Sequence, residues 1–213
     1  MKKLVFQGDS ITDVGRNTER GSLKSIGQGY ALICTARLTA RYPQEFSVSN
    51  RGVSGNRIVD VYARIKKDLW NLNPDFLSVL IGINDVWHDV VNQNGVDAAR
   101  VYTVYRMLVA DTVERFPHIR MMLMEPFVLP GRATDAHLEE FRAETILRAD
   151  AVRRIADEFG MTFLPLQETL DRACEAAPAD YWVGDGVHPT PAGHQLIADR
   201  WLEAFEKEIL PVL

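Results

Sequence analysis

Short apolar runs alternate along the whole chain with longer stretches in which apolar residues recur every three or four positions. The runs at 4–6, 46–48, 76–81, 121–124 and 161–164 predict strands. The third, Phe76-Leu77-Ser78-Val79-Leu80-Ile81, is apolar at every position but one, the pattern of a strand covered on both faces. The longer stretches predict helices over 30–41, 58–70, 98–116, 136–159 and 191–207. In the last of these, Leu196, Ile197, Trp201, Leu202 and Phe205 share one broad face. Thr190 supplies an N-cap there, and Pro191 suits the first helical position. Strands alternating with helices predict a mostly parallel sheet between two helix layers, and right-handed crossovers leave few strand orders. Five strands favour the flavodoxin-like order, a three-layer α/β/α sandwich. No composition break, repeat or Pro/Gly-rich linker interrupts the pattern, so residues 1–213 read as one domain.

Composition narrows the classes of function. A chain of 213 residues buries roughly 70% of its unfolded surface and needs no staples to fold. The formal net charge of -5 argues against a general nucleic-acid binder and against a polybasic membrane anchor. The two cysteines, Cys34 and Cys174, have no CxxC partner and read as buried thiols of a reducing compartment. The apolar stretch near the N-terminus, Leu4-Val5-Phe6, is too short for a secretion signal, and no window approaches the ~20 apolar residues of a membrane span. The cytoplasm is the expected location. The apolar tail Ile209-Leu210-Pro211-Val212-Leu213 is expected to dock on its own core, with a second subunit as the other candidate.

In an open parallel sheet, ligands bind beyond the carboxyl ends of the strands, so the residues that follow each strand carry the chemistry. Strand one is followed by Gly8-Asp9-Ser10-Ile11-Thr12-Asp13, and strand two by Asn50-Arg51-Gly52-Val53-Ser54-Gly55-Asn56. Strand three is followed by Gly82-Ile83-Asn84-Asp85-Val86-Trp87. Strand five and a short helix lead to Gly184-Asp185-Gly186-Val187-His188-Pro189-Thr190. A nucleophile, a glycine loop, an amide and an Asp/His pair would thus meet at one edge.

His188 precedes proline, which biases it away from helix, and Gly186 loosens the turn before it. The Asp185 carboxylate can then accept from His188 Nδ1–H, leaving Nε2 as a base. Taken alone, an Asp-x-x-His spacing is so short that it reads rather as a capping loop with a solvated aspartate and an incidental histidine. Ser10 stands between a strand and a helix-forming stretch, and its hydroxyl becomes nucleophilic only when a base takes its proton. Ser10 N–H, Gly55 N–H and the Asn84 amide could hold the oxyanion that such an attack creates. Trp87 is a candidate wall for the acyl pocket and Trp182 a candidate platform for a sugar ring; core packing is the alternative for both. Arg16 is expected to be an ordinary surface arginine.

The four blocks, in this order and at these separations, resemble the SGNH (GDSL-type) hydrolase family, whose serine, glycine, asparagine and histidine match Ser10, Gly55, Asn84 and His188. Its Asp-x-x-His pair matches Asp185 and His188, and the resemblance runs from Gly8 to His194. Ile11 departs from the leucine of the family's alternative name. The resemblance implies the flavodoxin-like sandwich, a Ser10–His188–Asp185 triad and an oxyanion hole of Ser10, Gly55 and Asn84. It also implies no metal or organic cofactor, and it admits a homo-oligomer. Within the family, Gly8–Arg16, Gly52–Asn56, Ile81–Trp87 and His188–His194 are most similar to intracellular acetylxylan esterases. That similarity implies a small acyl-ester substrate, an acetylated xylo-oligosaccharide. Lysophospholipase, thioesterase or arylesterase activity on the same machinery is the alternative. A phosphate-binding module is disfavoured, since Gly8–Asp13 lacks the P-loop lysine and carries two acidic residues. The five histidines show no HExxH spacing for a metallohydrolase.

Overall fold

The computed structural model describes residues 1–19, 22 and 24–213. Five parallel strands form one sheet: β1 (Lys2–Gly8), β2 (Phe46–Asn50), β3 (Phe76–Leu80), β4 (Arg120–Met124) and β5 (Thr162–Leu164). Their order is β2-β1-β3-β4-β5, the flavodoxin-like arrangement. The helices are α1 (Ser10–Asp13), α2 (Tyr30–Arg41), α3 (Ile58–Ala63), α4 (Ile65–Asp68), α5 (Ile83–Asn92), α6 (Ala98–Arg115), α7 (Leu138–Phe159), α8 (Gln167–Ala173), α9 (Ala179–Trp182) and α10 (Pro191–Ala204).

The strands are apolar on both faces, and their alternation divides the interior into two cores. Leu4, Phe6, Phe76, Leu80, Met122 and Met124 face one core, built with Tyr30, Cys34, Ile197, Trp201 and Phe205. Val5, Leu77, Val79, Met121 and Leu123 face the other, built with Ile58, Val61, Tyr105, Leu108, Val152 and Ile155. Trp201 is the largest side chain in the first core: it stacks on Phe205 with centroids 4.8 Å apart, and its indole N–H donates to Ser78 Oγ at 2.9 Å. That bond explains the one polar residue in β3.

Two expectations are corrected, and one helix was not predicted. The 58–70 helix is broken into α3, α4 and a short turn, with Arg64 at the break. The Arg64 guanidinium donates to Asn56 Oδ1, Arg51 O, Gln7 Oε1 and Asp68, so tertiary hydrogen bonds set the break. α5 was not among the helices predicted from the sequence. Cys34 is buried as expected, whereas Cys174 is only half-buried. The C-terminal tail docks on its own core, with Ile209 3% exposed and Leu210 and Leu213 packed against it. Among the described residues, no helix is long and apolar enough to cross a membrane.

Candidate active site

The sheet reverses direction of growth between β1 and β3, and the candidate residues lie beyond that point. Gly8 and Leu80, the last residues of β1 and β3, are in register, so the two following turns start level. A Cβ on Gly8 would stand 2.3 Å from Leu80 O and 2.4 Å from Thr12 Oγ1, so only glycine lets the turn into α1 pass this close to β3. Asp9 caps α1, its carboxylate accepting from Ile11 N–H at 2.9 Å. Ser10 follows as the first residue of α1, and among the described residues its N–H has no intramolecular acceptor.

Ser10 Oγ lies 2.9 Å from His188 Nε2, and His188 Nδ1 lies 2.8 Å from Asp185 Oδ2. The carboxylate can only accept, so Nδ1 carries the hydrogen and Nε2 is left to accept from the Ser10 hydroxyl. Asp185 Oδ1 takes two more hydrogen bonds, from Val187 N–H at 3.0 Å and His188 N–H at 2.8 Å. The loop is closed by Gly184 N–H on His188 O and by a bridge between Val183 and Pro189. Thr190 then caps α10 by accepting from Gly193 N–H. Burial raises the Asp185 carboxyl, but the hydrogen bonds from His188 and Val187 outweigh it and leave Asp185 below the usual carboxylate range.

Gly55 and Asn84 come to the same edge. Gly55 is exposed at φ +81°, and a Cβ there would meet nothing within 4 Å; the conformation, not crowding, calls for glycine. Its N–H also has no intramolecular acceptor among the described residues. Asn84 is 7% exposed and spends one amide hydrogen on Asn56 O at 3.1 Å. Trp87 stands beside His188, its ring 5.8 Å from the His188 ring and edge-on to Phe141 at 6.4 Å. Trp182 is placed differently: it packs edge-on to Tyr181, and its indole N–H donates to Ala177 O at 3.3 Å.

Several supporting residues were not singled out from the sequence. Arg16 is no ordinary surface arginine; its Nε donates to Gly52 O at 2.6 Å and tethers the glycine loop. Asp13 accepts from Ser54 N–H and Ser54 Oγ, and His88 Nε2 lies 3.2 Å from Gly55 O. The Asp85 carboxylate accepts from Ile58 N–H at 3.1 Å, and Arg148, also fully buried, faces it from α7. Burial pushes the Asp85 carboxyl up to about 8 and that of Asp9 up to about 7, against the pull of their backbone donors. Burial, with the charge of His188 behind it, pulls His194 down to about 4, and the neutral ring accepts from Tyr30 N–H.

A family model described as the GDSL-like lipase/acylhydrolase family matches residues 6–196. The chain belongs to the GDSL-like lipase/acylhydrolase family. An acetylxylan esterase of Geobacillus stearothermophilus is 33% identical over 215 residues, covering 98% of this chain and 94% of that one. Among solved structures, a GDSL-like lipase from Parabacteroides merdae superposes with a TM-score of 0.91 at 34% identity, covering 96% of this chain and 95% of its own. A catalytic mutant of the Geobacillus esterase superposes with a TM-score of 0.86 at 32% identity, covering 97% and 95%. As a GDSL-like acylhydrolase with such relatives, the chain is a carboxylic ester hydrolase.

Proposed function

We propose that the protein is a serine esterase that removes acetyl groups from carbohydrate esters, with short xylo-oligosaccharides as the substrate class. The observation that carries this reading is the continuous chain from Ser10 Oγ through His188 to Asp185, with links of 2.9 and 2.8 Å. His188 Nε2 takes the Ser10 proton while Oγ bonds to the acetyl carbonyl carbon. The carbonyl electron pair moves onto oxygen, where Ser10 N–H, Gly55 N–H and the Asn84 amide donate to it. Collapse breaks the bond to the sugar oxygen, which takes the proton back from His188. Water, giving a proton to the same nitrogen, attacks the acetyl-serine, and collapse releases acetate and restores the Ser10 hydroxyl.

The uncharged N–H groups of Ser10 and Gly55, both without internal acceptors among the described residues, suit a developing negative charge. Trp87 beside His188 favours a short acyl group over a long one. Trp182 remains the proposed sugar platform, three residues from Asp185. The Geobacillus relative has solved forms named as an acetyl-xylooligosaccharide esterase, and its catalytic mutants replace a serine, an aspartate and a histidine. The proposal extends to the whole chain 1–213 acting as one domain, to a cytoplasmic site of action and to assembly into a homo-oligomer.

The test is acetate release from acetylated xylo-oligosaccharides by wild type and Ser10→Ala. Loss of the nucleophile should lower turnover by about 10⁶ with the fold intact. A Ser10→Ala protein that hydrolyses at the wild-type rate would end the serine mechanism. A wild type that cleaves an activated aryl acetate but no acetylated sugar would end the carbohydrate assignment and leave a lipid or thioester acyl chain as the substrate.

A further inference from the structure

We propose that His88 is a positioning residue that sets the Gly55 donor of the oxyanion hole; this rests on the reading of Gly55 N–H as an oxyanion donor. Gly55 sits at φ +81° with open space where a Cβ would stand, so crowding at its Cα does not set its conformation. The loop is gripped on both sides. Upstream, Asp13 accepts from Ser54 N–H and Oγ, and Arg16 holds Gly52 O. Downstream, Asn84 donates to Asn56 O, Asp85 accepts from Ile58 N–H, and the Arg57 guanidinium donates to Asn94.

None of these bonds touches Gly55. The group that does is His88, whose Nε2 lies 3.2 Å from Gly55 O. A carbonyl oxygen only accepts, so Nε2 carries the hydrogen and Nδ1 is the acceptor. That agrees with the other contact of the ring, the Asn92 amide 3.5 Å from Nδ1. Asn84, His88 and Asn92 are spaced four apart on α5 and share one face of the helix. The face that presents the Asn84 amide to the oxyanion therefore also holds the Gly55 carbonyl. The peptide between Gly55 and Asn56 is thus held at both edges, by His88 at its carbonyl and by Val53 O at its N–H, and it fixes the Gly55 Cα from which the Gly55 N–H is aimed.

The test uses kcat and KM on an acetyl ester for wild type, His88→Ala, His88→Gln and His88→Asn, with Ser10→Ala alongside. Removing an oxyanion donor costs 10²–10³ in rate; mis-setting one should cost less, so His88→Ala should lose about tenfold in kcat with KM within about twofold. Glutamine places its Nε2 the same number of bonds from Cβ as the histidine Nε2, whereas the asparagine amide falls one bond short. His88→Gln should therefore recover to within about twofold of wild type, and His88→Asn should stay with alanine. Wild-type kcat in His88→Ala, equal rates in the glutamine and asparagine variants, or a change confined to KM would each overturn the inference. If Ser10→Ala is dead while His88→Ala runs at full speed, only the role of His88 falls. If Ser10→Ala keeps its turnover, the reading beneath it falls as well.

Discussion

Asp185 and Asp9 lie on either side of the Ser10–His188 pair and are driven in opposite directions. Asp185, half-buried, collects three hydrogen bonds and stays ionised. Asp9, sealed beside Ser10, has one carboxylate oxygen on Ile11 N–H and the other without a partner among the described residues, and burial makes it a weak acid. The proposed work of Asp185 is to hold His188 with its hydrogen on Nδ1, so Asp185→Asn should lower kcat by about 10⁴ through the wrong tautomer. Acetate release at a fixed neutral pH measures it, and a loss under about tenfold would remove Asp185 from the mechanism. Asp185 and His188 could be paired from the sequence because they are three apart, with Gly186 and Pro189 fixing the turn. The tethers from Arg16 to Gly52 and from Asp13 to Ser54 could not, because each spans more than thirty positions and depends on how β1 and β2 pair.

At the level of elements, the strands and the long helices follow their apolar periods closely, and α2 and α6 end within a residue of expectation. α5 was hidden although Ile83, Val86, Trp87 and Val90 have helical spacing. Gly82, Asn84 and Asp85 are turn formers, and here burial against the sheet and the Asp85–Ile58 bond override that preference. α10 was legible because a cap, a proline and an apolar face all agree. It is also the helix that begins directly after the His188 loop, and Trp201 anchors it among Phe6, Phe76 and Phe205. Trp201→Ala should therefore lower the free energy of unfolding by about 3–5 kcal/mol in denaturant melts. A cost below about 1 kcal/mol would show that the first core does not depend on this ring.

Over the whole molecule, three buried titratable groups give the fold an uneven response to pH. Asp9 and Asp85, at about 7 and about 8, hold protons in the folded state that the unfolded chain releases near pH 4. Their contribution is full below that point and is lost as pH rises through 7 and 8. His194, at about 4, refuses a proton that the unfolded chain takes near 6.5, so its contribution is lost as pH falls from 6.5 to 4. The three oppose one another in acid, and only the two aspartates act above about pH 6.5. The melting temperature should fall between pH 6.5 and 8.5, and Asp9→Asn should make that fall shallower. Equal slopes in the two proteins would contradict the burial account of Asp9.

The fold order was readable because alternating strand and helix patterns admit few right-handed windings, and the observed order is the expected one. That winding has a consequence for how the protein is made. Ser10 and His188 are 178 positions apart, and the Gly55 and Asn84 turns are both translated before the histidine. On the proposed mechanism, a nascent chain that has folded its first three strands carries nucleophile and oxyanion donors but no base. With those proposed roles, hydrolysis would report completion of the polypeptide: a chain broken between Phe127 and Asp185 would divide the reacting groups between two silent fragments, and their reunion would restore the chemistry.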